Sequence, residues 1–417
     1  MMSFDMFGLG EKYNELDKRL MSKCAAQFAK IDAVRDVNQL KMLNAFTKNR
    51  VGAQHFAAST GYGYGDVGRD MLDRVFADAV GAQSAICRAQ FMSGTHALTV
   101  ALFGVLRFGD TLMAVTGRPY DTLSDVIFKS EKSLGSLGDF GVHYAQIDML
   151  GDEPDYKKIA ESSSTAKVIY IQRSRGYSAR KALTVDEIGK IARTAKEANR
   201  DAVVMVDNCY GEFTDTTEPI EHGADLIIGS LIKNPGGAIA ETGGYIAGKK
   251  ELVELCANRL TAPGTGAEIG SFPTGYRNMF LGLYMAPEIT ATALKSAVYG
   301  AALFEELGLA ASPRYDEKRS DIVTCVVMDS QQQLLELCRA VQSASPIDSF
   351  AVPEAWEMPG YESKVVMASG AFTCGSSIEL SCDAPIREPY TAYIQGGISL
   401  TAARFAYLKF AAGSGLF

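Results

Sequence analysis

Four short stretches set a reactive or polar side chain directly after an apolar run. In DLIIGSLIKNPGG (Asp225–Gly237), Ser230 and Lys233 follow the run and a Pro-Gly-Gly turn follows the lysine. In AVVMVDNCYGEF, Asp207 ends the run. An unpaired charge there is costly to bury, so it needs a helix amide, an arginine, a metal or a protonated nitrogen on a ligand. QFMSGTHALTVALFGVLRFG carries Ser93, Gly94, Thr95 and His96 where a strand turns into a helix. The free amides of a helix N-terminus, with a glycine that lets the backbone come close, bind phosphate. An ordinary cap by Ser93 or Thr95 would use the same residues. In TGRPYDTL, Tyr120 could stack on a planar ligand, supply a phenol proton, or simply pack.

Each feature alone has a plain structural explanation, a lone loop lysine most of all. Together they amount to a phosphate cradle, an aromatic plate, an acidic partner and an amine. Pyridoxal phosphate needs all four: an anchor for its phosphate, a face to stack on, a carboxylate for its pyridinium nitrogen and an amine for a Schiff base. No metal site is expected, because His55, His96, His143 and His222 form no ligand pair at helical spacing. Gly63-x-Gly65-x-x-Gly68 fits the GxGxxG dinucleotide pattern, but QHFAAST before it is no apolar strand. Gln83 stands where a strand-end acid would be needed.

The positioning elements follow from the pattern. SAICRA, TLMAV, VHYAQI, KVIYIQ, AVVMVD, DLIIGS and GGYIAG read as strands. MLDRVFADAV and the segments 95–108, 155–162, 184–198 and 250–259 read as helices between them. Such alternation predicts an α/β fold with a mostly parallel sheet covered on both faces, whose sites lie beyond the carboxyl ends of the strands. Residues 1–60 are expected to form an N-terminal helical arm, 61–285 the large domain and 286–417 a smaller α+β domain. The last opens with a long helix near 286–307 and contains strand-like DIVTCVVM and SSIELSC and helical QQLLELCRAVQ and TAARFAYLKFAA.

The 417-residue chain is 47% apolar and 22% charged, the balance of a globular protein with a sizeable core. Its net charge of -8 argues against nucleic acid or an anionic membrane as partner. The 8 cysteines are scattered without a CxxC pair, as expected of thiols in a reducing compartment. With no basic segment followed by an apolar run at the N-terminus and no membrane-length apolar run, a soluble cytoplasmic protein is expected.

From about Tyr62 to Gly248, and more weakly to the C-terminus, the order and spacing of these stretches resemble the aspartate-aminotransferase-like pyridoxal-phosphate enzymes. Within them the chain is similar to the cysteine/methionine-metabolism branch, and most closely to the methionine gamma-lyase family also called aluminium-resistance proteins. LRFGDTLMAVTGRPYDTL resembles the branch's helix–strand–tyrosine segment, VVMVDNCYGEF its aspartate strand and GSLIKNPGG its Ser-x-x-Lys site. The resemblance implies Lys233 as the Schiff-base lysine, Asp207 as partner of the pyridinium nitrogen, Tyr120 stacked on the ring, and Ser230, Gly94 and Thr95, with Ser93 beside them, on the phosphate. Tyr62 falls where the branch has a tyrosine that reaches the phosphate of a neighbouring subunit. Tyr64 replaces the arginine usual two residues later, for which Arg69 could compensate; Tyr64 is placed at the substrate. The substrate carboxylate falls to Arg387, with Arg404, Arg173 and Arg175 as alternatives. The implied reaction is elimination of a thiol from methionine, cystathionine or cysteine in a homodimer or homotetramer. Transamination, aldol cleavage, racemisation or a non-catalytic role are the alternatives.

Overall fold

The computed structural model describes residues 4–130, 134–358 and 363–417. It divides into two compact units, Asn38–Ala286, and Met1–Val37 together with Pro287–Phe417. The stretch expected as an arm contains one long helix, α1 (Glu11–Lys48), which the division cuts at Val37.

In the first unit, Asp66 starts α2 (Val67–Val80) by accepting the amides of Gly68 and Arg69 at 3.0 Å each, and Gly81 stops it at φ 72°. Next come β1 (Ser84–Arg88), α3 (Gly94–Val105), β2 (Thr111–Ala114), α4 (Asp121–Ile127), β3 (His143–Gln146) and α5 (Tyr156–Ser162). After them stand β4 (Val168–Gln172), α6 (Val185–Ala198), β5 (Val203–Asp207), β6 (Leu226–Ser230), β7 (Gly244–Gly248) and α7 (Lys250–Leu260). Every expected strand is present in the order β1-β7-β6-β5-β4-β2-β3. β3, β2, β4, β5 and β6 run parallel, while β7 is antiparallel to both β6 and β1. The parallel neighbours are joined by long connections, through α4, α5 and α6 or, from β5 to β6, through a loop with the short 3-10 helix Pro219–His222. By contrast, β6 is joined to β7 without a helix crossover, through the turn around Asn234–Gly236, and the chain doubles back.

Alternate residues of the strands bury on opposite faces. Val204 and Val206 join one core cluster with Val75, Phe76 and Ile188, whereas Val203 and Met205 join another with Leu98, Val105 and Val253. Burial on both sides is why these strands read as unbroken apolar runs.

The long helix α8 (Arg277–Glu306) begins well before the expected start and runs through Pro287, the residue at which the two units divide. The second unit then forms β8 (Ala310–Ser312), β9 (Val323–Val327), α9 (Gln331–Ser343), β10 (Val365–Ser369), β11 (Ser381–Pro385), β12 (Thr391–Gln395) and α10 (Leu400–Gly413). Its sheet, β10-β11-β12-β9-β8, is antiparallel throughout. SSIELSC departs from expectation: only its last two residues enter β11. The Glu379 carboxylate accepts the amides of Phe372 (2.9 Å) and Thr373 (3.1 Å), which closes a local loop in place of a strand. Among the described residues no helix is long and apolar enough to cross a membrane.

Candidate active site

The parallel arrangement delivers the candidate residues to one edge of the first unit's sheet. Asp207 is the last residue of β5 and Ser230 the last of the adjacent β6; Gln172 ends β4. Asp207 is buried, and its Oδ1 accepts the amide of Cys209 at 3.1 Å while the Tyr170 hydroxyl lies 3.4 Å from Oδ2. Burial raises the Asp207 pKa against the opposing pull of the Lys233 charge.

Lys233 follows β6 in a turn fixed by its neighbours. Asn234 Nδ2 donates to the carbonyls of Tyr210 and Glu212 at 3.0 Å each, tying this turn to the loop after β5. Gly237 supplies the left-handed φ of 55° that the turn requires, and a Cβ there would come within 2.3 Å of the Gly282 carbonyl. The partly buried lysine places Nζ 3.9 Å from the Tyr210 ring centroid. Burial opposes its positive charge, but the acidic groups around it, Cys209 first and then Tyr210, Asp207 and Tyr120, outweigh that and hold its pKa well above the ordinary lysine value.

Tyr120 enters from β2. Its backbone amide donates to Gln172 Oε1 at 3.0 Å, and its hydroxyl lies 3.0 Å from Thr95 Oγ1. Burial, reinforced by the Asp207 carboxylate, pushes the phenol far up, so it keeps its proton at neutral pH. At the start of α3, Ser93 caps the helix by accepting the His96 amide at 3.1 Å. A Cβ on Gly94 would stand 3.4 Å from Ser230 Cβ and 3.5 Å from Cys209 Sγ. The glycine therefore keeps a gap open between the amide end of α3 and the ends of β5 and β6, the place where an anion gains most from the helix.

Lys233, Asp207, Ser230, Gly94, Thr95 and Tyr120 are thus brought together. Amine, carboxylate, phenol and the amide end of α3 are the groups that the aldehyde, ring nitrogen, ring face and phosphate of pyridoxal phosphate call for. Other expected residues stand elsewhere or are already engaged. Tyr62 and Tyr64 are exposed, at 75% and 66%, with their rings 5.8 Å apart in the loop before α2. Arg69 is buried and donates to the Gly63 carbonyl at 2.8 Å. Arg387 is exposed just beyond β11 in the other unit. Arg404 is committed to Asp17, and Arg173 donates to Asn208 at 2.7 Å and Thr214 at 3.1 Å. The GxGxxG glycines serve turns and packing: Gly63 has φ 70°, and a Cβ on Gly68 would come within 2.5 Å of the His55 carbonyl. Sequence reasoning missed Cys209, Tyr210, Gln172 and Asn234. The first two carried a signal, standing directly after a strand-end aspartate; Asn234 and Gln172 act through backbone bonds that only the folded chain reveals.

A model of the methionine gamma-lyase family matches residues 13–412 of the chain. A carbon-sulfur lyase involved in aluminium resistance from Clostridium novyi NT is 45% identical, with a TM-score of 0.94 over 98% of this chain and 97% of that one. The Bacillus subtilis protein YnbB is 42% identical over 97% of this chain and 96% of its own length. At 16% identity and a TM-score of 0.61, the pyridoxal-5'-phosphate-dependent protein YhfS of Escherichia coli shares the fold over 92% of this chain.

Proposed function

The chain belongs to the methionine gamma-lyase family, and from that premise we propose that it is a pyridoxal-phosphate-dependent carbon–sulfur lyase that eliminates a thiol from a sulfur amino acid. Methionine, cystathionine and cysteine are the candidate substrates. The observation that carries the reading is the meeting of Lys233, Asp207 and Tyr120 within electrostatic reach of one another beyond the carboxyl ends of β6, β5 and β2.

In this reading Lys233 holds the cofactor's aldehyde carbon and Asp207 its pyridine nitrogen. The Gly94 and Thr95 backbone and the Ser93 and Ser230 hydroxyls hold the phosphate, and the Tyr120 ring covers one face. Bound there, pyridoxal phosphate supplies a ring that accepts the electron pair left on the substrate's α-carbon. The Lys233 amine takes the proton from that carbon. Elimination at the γ-position also requires a proton to leave the β-carbon, which the Lys233 amine takes as well. With its raised pKa the Tyr120 phenol is a proton donor at neutral pH, suited to the departing sulfur. Thr95 and Gln172 hold it in place. Tyr62, exposed on its own chain, reaches the phosphate of a neighbouring subunit in a homodimer or homotetramer.

The test is the absorption spectrum of the purified protein with pyridoxal phosphate, repeated for Lys233→Ala, followed by product assays. A visible imine band lost in the variant, with 2-oxo acid, ammonia and thiol released without an amino acceptor, supports the lyase. Turnover that requires an acceptor makes it a transaminase. No band after adding the cofactor returns Lys233 to a structural role.

A further inference from the structure

Tyr62 stands on a stretch with little rigidity of its own. It is 75% exposed, and the glycines that follow it, Gly63 and Gly65, have φ of 70° and 68°. Glycine in such a turn is conformationally free, so an aromatic side chain mounted there must borrow its pose from a neighbour if it is to serve another subunit. That neighbour is the Gly270–Ser271 stretch of the loop between α7 and α8. The Gly270 amide donates to the Tyr62 carbonyl at 2.9 Å, and a Cβ on Gly63 would come within 2.9 Å of the Ser271 amide nitrogen. At Gly63 the two backbones lie directly against each other.

The loop is itself rich in glycine, with Gly264, Gly266 and Gly270 all at positive φ. Two side chains, one from β1 and one from just beyond it, fasten the loop. Arg88 Nη2 donates to the Ala267 carbonyl at 3.2 Å, and Gln90 Nε2 donates to the Ser271 carbonyl at 2.6 Å. Arg88 also pairs with Asp73 at 2.7 Å, so it serves the core as well. The Gln90 bond is the one that meets the Tyr62 segment, because it holds the residue against which Gly63 packs. Gln90 stands two residues beyond the end of β1 and three before Ser93. The strand end that leads into this chain's own anion cradle therefore also holds the segment that carries Tyr62.

We propose that Gln90 is a positioning residue for the neighbouring subunit's cofactor site: through Ser271 and Gly270 it fixes the segment that presents Tyr62 to the phosphate next door. The proposal rests on the reading that gives Tyr62 that role. The other site within range of Gln90 is the cradle of its own chain, and the test separates the two.

Pyridoxal-phosphate affinity is read from the imine band as the cofactor is titrated into apoprotein. Tyr62→Phe is expected to weaken it by about 10-fold, the scale of one lost hydrogen bond. Gln90→Met, which keeps the length of the side chain without its donor, is expected to do the same. The double variant loses no more than Tyr62→Phe, because Gln90 acts through Tyr62. Gln90→Asn, one methylene short, carries the test if the methionine variant does not fold. The deciding measurement uses hybrids of two differently tagged subunits, one of them Lys233→Ala, so that only the other forms the imine. Gln90→Met on the Lys233→Ala subunit should weaken binding at the intact site by the same factor. On the intact subunit it should leave that site as in the wild type. The reverse pattern gives Gln90 to its own cradle and overturns the proposal, as does an equal loss in both hybrids. A loss in Tyr62→Phe with none in the Gln90 variants overturns the proposal alone. Wild-type affinity in Tyr62→Phe, or a loaded protein that is a monomer, overturns the placement of Tyr62 and the proposal with it.

Discussion

Tyr120 and Lys233 divide proton handling by their surroundings. Burial and the Asp207 charge keep the phenol protonated, so it gives a proton and does not take one. Tyr120→Phe should lower kcat for thiol release by about 100-fold while the protein still binds pyridoxal phosphate. The loss should be smaller for a cysteine derivative whose thiol leaves as a stable thiolate. Steady-state kinetics on the two substrate types would reveal it, and equal losses would remove Tyr120 from the proton path. Lys233 has the opposite constraint. Only its neutral amine can attack the cofactor's aldehyde, and its raised pKa leaves little of that form near neutrality. Cofactor loading of the apoprotein should therefore speed up with pH, by roughly tenfold per unit from neutral pH upward, as followed by stopped-flow absorbance. A flat profile would mean that the lysine is not held as an ammonium.

Elements decide where these groups stand. The turn between β6 and β7 aims Lys233, and its tightness depends on having no side chain at Gly236, where a Cβ would fall 1.6 Å from the Leu231 carbonyl. Gly236→Ala must displace the backbone on which Lys233 rides. It should lower the melting temperature by several degrees, about 1–3 kcal/mol, and greatly reduce cofactor uptake. Thermal melts with and without pyridoxal phosphate test both effects. Ser93 shows how one residue supports two readings: its hydroxyl caps α3, and the same capped end presents the free amides of an anion site. Cap and cradle are one structure, which is why the sequence alone left the choice open.

Across the whole molecule, each unit carries buried charge that sets its stability. In one, Asp17 accepts from Arg404 Nε at 2.8 Å and from the Tyr299 hydroxyl at 2.9 Å, joining α1, α8 and α10. Asp17→Ala leaves the guanidinium buried without its partner and should cost about 3–5 kcal/mol, measured by chemical denaturation. In the other, burial raises the Glu212 pKa to about 8, while the Tyr245 hydroxyl donates to Oε1 at 2.7 Å. The unfolded glutamate loses its proton near pH ~4.3, so the unfolded state sheds its proton first. Glu212 therefore leaves stability intact below that value and erodes it as the pH rises toward 8. Glu212→Gln can still accept from Tyr245 and has no proton to lose. Its melting temperature relative to the wild type should rise between pH 5 and pH 8, and a pH-independent difference would count against a protonated Glu212.

The strands of the parallel sheet were legible because burial on both faces turns each into an unbroken apolar run, and the run's last residues are where an α/β sheet presents its ligands. That is how Lys233, Asp207, Ser230 and Tyr120 could be read as one site from order and spacing alone. The family was legible for the same reason. SSIELSC misled because alternation cannot register that Glu379 spends its carboxylate on two loop amides. Nor could the sequence rank its arginines, since a guanidinium's role depends on which oxygens surround it after folding. Only the tertiary structure shows Arg404 and Arg173 already engaged, Arg387 exposed, and Arg175 buried with its fork unclaimed among the described residues.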